Sequence, residues 1–399
     1  MEHTPLAGLK VLDASRVLAG PYCGQLLADL GADVIKLERP GAGDDTRSWG
    51  PPFLDAQTSA YYLSCNRGKR GFALDLSKPE GLVIFHELLD KSDVLIENFR
   101  SDSAAKMGIA PKELLARHPR LIACSITGFG HTGPMRNELG YDLAIQALSG
   151  LMSVTGPTEG PPCKVGVAIT DILTGMYAAV GILACLRARE QSRHGYHIDL
   201  ALLDCAIAAQ INLAQSYLLT GKVPPRPGNT HFQIVPYAVF KASDGWVALN
   251  VGNDSQWQHF CTAAVAPELA SDPRFTTNPL RVQNRNELFP KLDALFLKRT
   301  VADWCDRLEK VRVPHSPVND YAAVFANEQV LARGMKINVT DPHGKPVDLI
   351  GSPFHLTGAE TAAPVFPPRL GEHTDAVLGE YLGLDAKRLA ELRAAGVVG

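Results

Sequence analysis

The 399-residue chain has no apolar run approaching ~18 residues, the length a membrane-crossing helix requires. Its most apolar stretch, Met176 to Leu186, is followed at once by Arg187, Arg189 and Glu190. The N-terminus lacks the basic start and apolar segment of a secretory signal. None of the eight cysteines sits in a C-x-x-C pair or has a histidine at zinc-finger spacing. They read as small buried hydrophobes in a reducing compartment, and no metal site is expected. An excess of either charge is missing too: 39 Lys and Arg stand against 42 Asp and Glu. A nucleic-acid binder would show a basic excess or stripe. Charged residues at 20% and hydrophobic residues at 46% exclude an intrinsically disordered chain. The expectation is a soluble cytoplasmic protein of two or three domains, or of one large domain with an insertion.

Strands then alternate with helices. Leu9 to Asp13 reads as a buried strand, Pro21 to Leu30 as a helix ending at Gly31, and Asp33 to Leu37 as a second strand. Gly71 to Asp75, Asp93 to Ile96 and Leu121 to Ile126 continue as strands, separated by helices at Glu80 to Leu89 and Pro111 to Arg117. Such β-α-β alternation predicts a doubly wound α/β domain with a parallel sheet. Further on, Asp142 to Leu151, Asp171 to Arg189 and Leu202 to Leu219 read as helices, with Tyr196 to Leu200 as a strand. The cluster Gly221-Lys-Val-Pro-Pro-Arg-Pro-Gly228 marks a domain edge. Beyond it a hairpin, Tyr237 to Lys241 with Gly245 to Asn250, precedes helices at Ser255 to Val265, Asn286 to Phe296 and Val301 to Val311, a smaller α+β domain.

The usual nucleotide fingerprints are absent. Gly20 and Gly24 after the first strand do not fit G-x-G-x-x-G. Gly41-Ala-Gly43 lacks a third glycine, and Asp44 and Asp45 beside it would repel a pyrophosphate. No G-x-x-x-x-G-K-[ST] loop occurs.

Several spaced segments resemble the class III CoA-transferase (CaiB/BaiF) family. They include Pro5 to Asp13, Ala19-Gly-Pro21, Leu30 to Pro40, Gly43-Asp-Asp-Thr-Arg47 and Asn66-Arg-Gly-Lys-Arg70. Glu97-Asn-Phe99, Ser125 to Gly130, Gly140-Tyr-Asp142, Thr170 to Gly175 and Leu370 to Asp375 follow in order. The resemblance implies a Rossmann-like large domain, a smaller α+β domain and an interlocked homodimer. The implied division is residues 1–220 for the first part of the large domain, 221–325 for the small domain, and 326–399 for the return to the large one. The substrates implied are CoA thioesters and a small carboxylic acid. No permanently bound cofactor, nucleic acid or membrane is implied.

In this family an aspartate attacks the acyl-CoA thioester, and the resemblance lands on Asp171. A carboxylate there gives a mixed anhydride, then an aspartyl-CoA thioester, which splits one transfer into activated covalent steps. As a purely structural residue, Asp171 fits an N-cap of the long helix. For CoA, the resemblance implies Val17, Leu18 and Ala19 after the first strand, Arg39 after the second, and Leu74, Asn98, Phe99, Lys106 and Tyr141. Arg67, Lys69, Arg70 and Arg100 are further candidates for its phosphates. Lys106 stands where the formyl-CoA transferase branch has arginine, keeping the charge without the bidentate fork. That branch also has glutamine where Leu18 stands, and a glycine-run loop where this chain reads Asn250 to Trp257. Ser48 to Pro52, Ser149 to Gly156, Ile234 to Tyr237 and Val251 to Asn253 look most like the branch acting on dicarboxylates such as glutarate, itaconate, malate or citramalate, with succinyl-CoA as donor. Arg47, His231 and Asn253 are the acceptor-site candidates, because a second carboxylate wants a charged clamp.

Two other readings share the fold. An α-methylacyl-CoA racemase needs a base in a Gly-His-Asp motif, and here the triplet is Gly140-Tyr141-Asp142. Tyrosine is a poor general base near neutrality, and His131 and His231 have no motif around them. A non-catalytic CoA-binding protein would have no need of Asp171.

Overall fold

In the computed structural model, residues 4–56 and 58–399 are described. Six strands form one parallel sheet: β1 (Lys10–Asp13), β2 (Asp33–Glu38), β3 (Arg70–Ala73), β4 (Val94–Glu97), β5 (Ile122–Thr127) and β6 (Tyr196–Ala201). Their spatial order is β3-β2-β1-β4-β5-β6. This is the doubly wound order, whose ligands lie beyond the carboxyl ends of the strands where the order reverses.

Alternation along each strand builds the two faces. Leu12, Ile35, Phe72 and Leu95 face one core with Phe85 and Leu88 of α2 (Pro79–Asp90). Val11, Val34, Val94 and Cys124 face the other, against Ala19, Cys23 and Leu27 of α1 (Ala19–Asp29). The helices α3 (Asp142–Leu148), α4 (Ile169–Ser192), α5 (Leu202–Ala208) and α6 (Ile211–Thr220) follow.

Two expectations change here. The helix α4 is long and apolar enough to cross a membrane by length and composition, contrary to the reading that no stretch is. Its face of Thr170, Thr174, Gly175, Ala178, Ala179 and Ile182 is nevertheless buried in the protein. The helix expected over Leu202 to Leu219 is two helices, bent by 78°. Gln210 lies in the break, and its Nε2 donates to Ala206 O at 3.2 Å and Ser149 O at 2.9 Å. That side chain satisfies a carbonyl which the first helix leaves open.

The chain forms two compact units, residues 1–151, 165–218 and 329–399 in one, and 152–164 with 219–328 in the other. Residues 152–164 thus group with the second unit, outside the 221–325 span expected from sequence. In the first unit the late segment joins the core. Val377 and Leu378 of α7 (Thr374–Leu382) and Leu389 and Leu392 of α8 (Ala386–Ala394) pack with Phe72 and Phe85. His373 N–H donates to Gly71 O at 2.8 Å, and Ala73 N–H to Thr374 Oγ1 at 3.1 Å. The second unit has a three-stranded antiparallel sheet of Tyr237–Lys241, Trp246–Asn250 and His315–Pro317. Its core stacks Phe296 on Phe240 and Trp304, with ring centroids 4.6 and 4.3 Å apart.

Candidate active site

A cleft of about 430 Å³ opens beyond the carboxyl ends of β1, β4 and β5, a volume suited to a small-molecule site. Val17, Ala19, Asn98, Phe99, Tyr141 and Asp171 all line it. Four short sequence motifs, far apart in the chain, therefore converge on one wall.

Asp171 is not the N-cap of α4. The helix starts at Ile169, with Ala168 as cap, so Asp171 lies in its first turn. The side chain that anchors this helix start is Asp142, whose Oδ1 accepts the Thr170 N–H at 3.0 Å and the Thr170 hydroxyl at 2.9 Å. Burial pushes the Asp171 carboxyl up to about 7, and the Asp142 charge adds to the rise. The Ala19 backbone amide works the other way. Such a carboxylate, once ionised, is more basic and a stronger nucleophile than an exposed one. Gly175, one turn further along α4, allows the close approach: a Cβ there would lie 2.6 Å from Ala19 O.

Asn98 positions the loop after β1. Its Oδ1 accepts the Arg16 N–H at 3.0 Å, and its Nδ2 donates to Arg16 O at 2.9 Å. Behind the same wall, Glu97 is 3% exposed, and its Oε2 accepts the Phe99 N–H at 2.7 Å. Burial raises its carboxyl to about 7, against hydrogen bonds from Ser125 and Phe99.

Other predicted residues lie elsewhere. Arg47 is 5% exposed and away from the cleft lining. Its Nε and Nη2 donate to Glu38 at 2.8 and 2.7 Å, and Nη2 also reaches Tyr62 Oη and Pro368 O. An interior ion pair thus occupies the guanidinium that was expected to clamp a substrate carboxylate. Leu74 packs its side chain in the core. Leu18 caps α1, and Arg39 and Lys106 are exposed, none of the three lining the cleft. His231 and Asn253 belong to the second unit. The His231 Nδ1 accepts the Gln233 and Ile234 N–H groups, and Asn253 caps the helix Asp254–Ala264. Of the supplementary cations, Lys69 is buried against Asp13, Arg67 against Asp29, and Arg70 pairs with Asp33 and Glu380. Only Arg100 lines the cleft, joined by Arg16 and Arg136.

Sequence reasoning missed Asp142, Arg16, Asp45, Arg136 and Tyr61. Asp142 carried a signal, an acidic residue opening a short helix inside a quoted motif. Tyr61 carried none. Its phenol is raised to about 12, by burial first and then by the Asp171 charge, which marks it as a neighbour of the site. Among the described residues, no group of three or more His, Cys, Asp or Glu side chains is arranged to hold a metal ion.

Known proteins share this arrangement of chain. Residues 6–374 match the description CoA-transferase family III. A succinate–glutarate CoA-transferase of Agrobacterium fabrum is 42% identical over 381 residues, covering 94% of this chain and 95% of its own. A succinyl-CoA:glutarate CoA-transferase of Homo sapiens is 41% identical over 394 residues, covering 99% and 90%. The crystal structure of a CaiB/BaiF family protein from Brucella suis superposes with a TM-score of 0.86 at 44% identity, over 95% of this chain and all of that one.

Proposed function

The chain belongs to family III of the CoA-transferases, and from that premise we propose that it moves CoA from succinyl-CoA to a free dicarboxylate of the glutarate type, with Asp171 as nucleophile. The observation that carries the reading is the Asp171 carboxyl, set in the cleft wall with its proton affinity raised toward neutrality. Two relatives named for glutarate support the acceptor class.

The steps conserve the energy of the thioester. An Asp171 oxygen attacks the succinyl-CoA carbonyl carbon, the C–S bond breaks, and CoA leaves as thiolate. The thiolate attacks the Asp171 carbonyl of the resulting anhydride, releasing succinate and forming an aspartyl-CoA thioester. The acceptor carboxylate then displaces CoA, giving a second anhydride. Thiolate attack on the acceptor carbonyl yields the new acyl-CoA and restores Asp171. No water or proton is consumed, so a wall that excludes water protects both anhydrides.

In this reading Val17, Ala19, Asn98, Phe99 and Tyr141 border the CoA, while Arg16, Arg100 and Arg136 supply positive charge for phosphate or carboxylate. The active form is a homodimer. Its support is the exposure of large apolar side chains in the single chain: Met176 and Val180 of α4, and Ile211 and Leu218 of α6. Sedimentation analysis checks that association.

The decisive experiment incubates the protein with succinyl-CoA and a panel of carboxylic acids and follows new acyl-CoA species by mass spectrometry. Glutarate is expected to accept CoA, and a panel with no acceptor overturns the proposal. Hydroxylamine trapping during turnover is expected to modify Asp171, and modification elsewhere overturns the nucleophile.

A further inference from the structure

Val17 lines the cleft in a conformation a β-branched residue rarely adopts, with φ +73°. Something must hold it there, because the left-handed region is unfavourable for a residue branched at Cβ. The restraint is Asp44. Its two carboxylate oxygens accept the Val17 N–H at 3.3 and 3.2 Å.

Asp44 is itself fixed from several sides. It is 1% exposed, and its Oδ1 accepts the Thr46 N–H at 3.0 Å and the Thr46 hydroxyl at 2.8 Å. Lys36 Nζ donates to Oδ2 at 2.9 Å and also to Ser15 O. The Asp44 N–H donates to Glu38 Oε1 at 2.8 Å. Lys36 and Glu38 lie two apart on β2, so their side chains leave the same face of the sheet. Burial works to raise the Asp44 carboxyl, yet Lys36 and the Thr46 bonds bring it down to about 2. The charge that looked from sequence like a repellent for pyrophosphate is spent inside the protein.

We propose that Asp44 is a positioning residue: by holding Val17 in its left-handed conformation, it sets the cleft-lining loop before α1 and the start of that helix beside Asp171. The inference rests on the reading of this cleft as the CoA site. A buried ion pair that served stability alone would have no need of the Val17 amide.

The test is a cycle read by calorimetric titration with CoA. Lys36→Met with Asp44→Leu removes the pair without stranding a charge. It is made in the native background and with Val17→Gly, because glycine takes positive φ unaided. Removing the pair is expected to raise the Kd for CoA about tenfold with Val17 present, and no more than about threefold with glycine there. Equal losses in both backgrounds overturn the inference. Should the Lys36→Met, Asp44→Leu chain not fold, Lys36→Gln with Asp44→Ala leaves neither a charge nor an acceptor for the Val17 N–H, and the same comparison decides. A native protein that binds no CoA overturns the cleft assignment, and this inference with it. Native binding with no coupling overturns this inference alone.

Discussion

Asp142 takes both donors of Thr170 on one oxygen, while its other oxygen accepts Gln146 Nε2 at 2.7 Å. The carboxylate thus ties α3 to the start of α4 and puts a negative charge beside Asp171. With the proposed Asp171 carboxylate as the reactive species, kcat/KM is expected to fall as pH drops through about 7, near tenfold per unit below it. Asp142→Asn keeps an acceptor but removes the charge, and the acid limb moves to lower pH. Asp142→Ala also loses the clamp, at about 1 kcal/mol of stability. Rate profiles and melting curves check both.

The Glu97→Gln variant tests the buried acid behind the wall. Its folded value of about 7 exceeds the ordinary 4.5. Between these values the native state keeps a proton that the unfolded chain has lost, so stability falls as pH rises across that window. Glutamine removes the penalty. The gain at pH 8 is on the order of 3 kcal/mol, at about 1.4 kcal/mol per unit. At pH 4 the melting temperatures coincide.

With Gly175→Ala, the new Cβ meets Ala19 O at 2.6 Å, where backbone cannot give way cheaply. The helices α1 and α4 separate, costing about 1–3 kcal/mol by the usual scale of overpacking. Because the same contact sets Ala19 beside Asp171, kcat falls as well. Thermal melts and single-turnover rates read the two effects.

The Arg47→Met variant leaves Glu38 buried without its partner, costing about 3–5 kcal/mol. The ratio of rates between competing acceptor acids stays unchanged, since Arg47 is absent from the cleft lining. A competition assay over the acceptor panel, with a melt, separates stability from selectivity.

The parallel sheet was legible because its strands are short apolar runs bounded by turn residues, and Pro111–Arg117 falls where the pattern puts it. The break at Gln210 was not, because only the bond to Ser149 O, 61 residues away, shows that the side chain turns inward. The hairpin Lys336–Thr340 with Pro346–Ile350 escaped as well, although Ile337 and Val339, then Val347 and Leu349, alternate with their neighbours as a half-exposed strand pair should. Convergence on Asp171 was readable from spaced motifs. The fate of individual charges was not. Arg47, Arg67 and Lys69 look like surface cations in sequence, and only three-dimensional partners reveal that they are interior. Conversely, Asp44 hides its role because its partners Lys36 and Val17 lie on other segments.

The first unit is built from discontinuous stretches of chain, and this has a consequence for synthesis. The sheet face carrying Phe72, with Phe85 of α2 packed on it, awaits Val377, Leu378 and Leu392 to complete its core. At about 5–20 residues per second, the roughly 290 residues between Phe85 and Val377 occupy the ribosome for about 15–60 seconds before those side chains emerge. During that interval the nascent sheet carries an uncovered apolar face, and its yield in the cell depends on what shelters it until the late helices arrive.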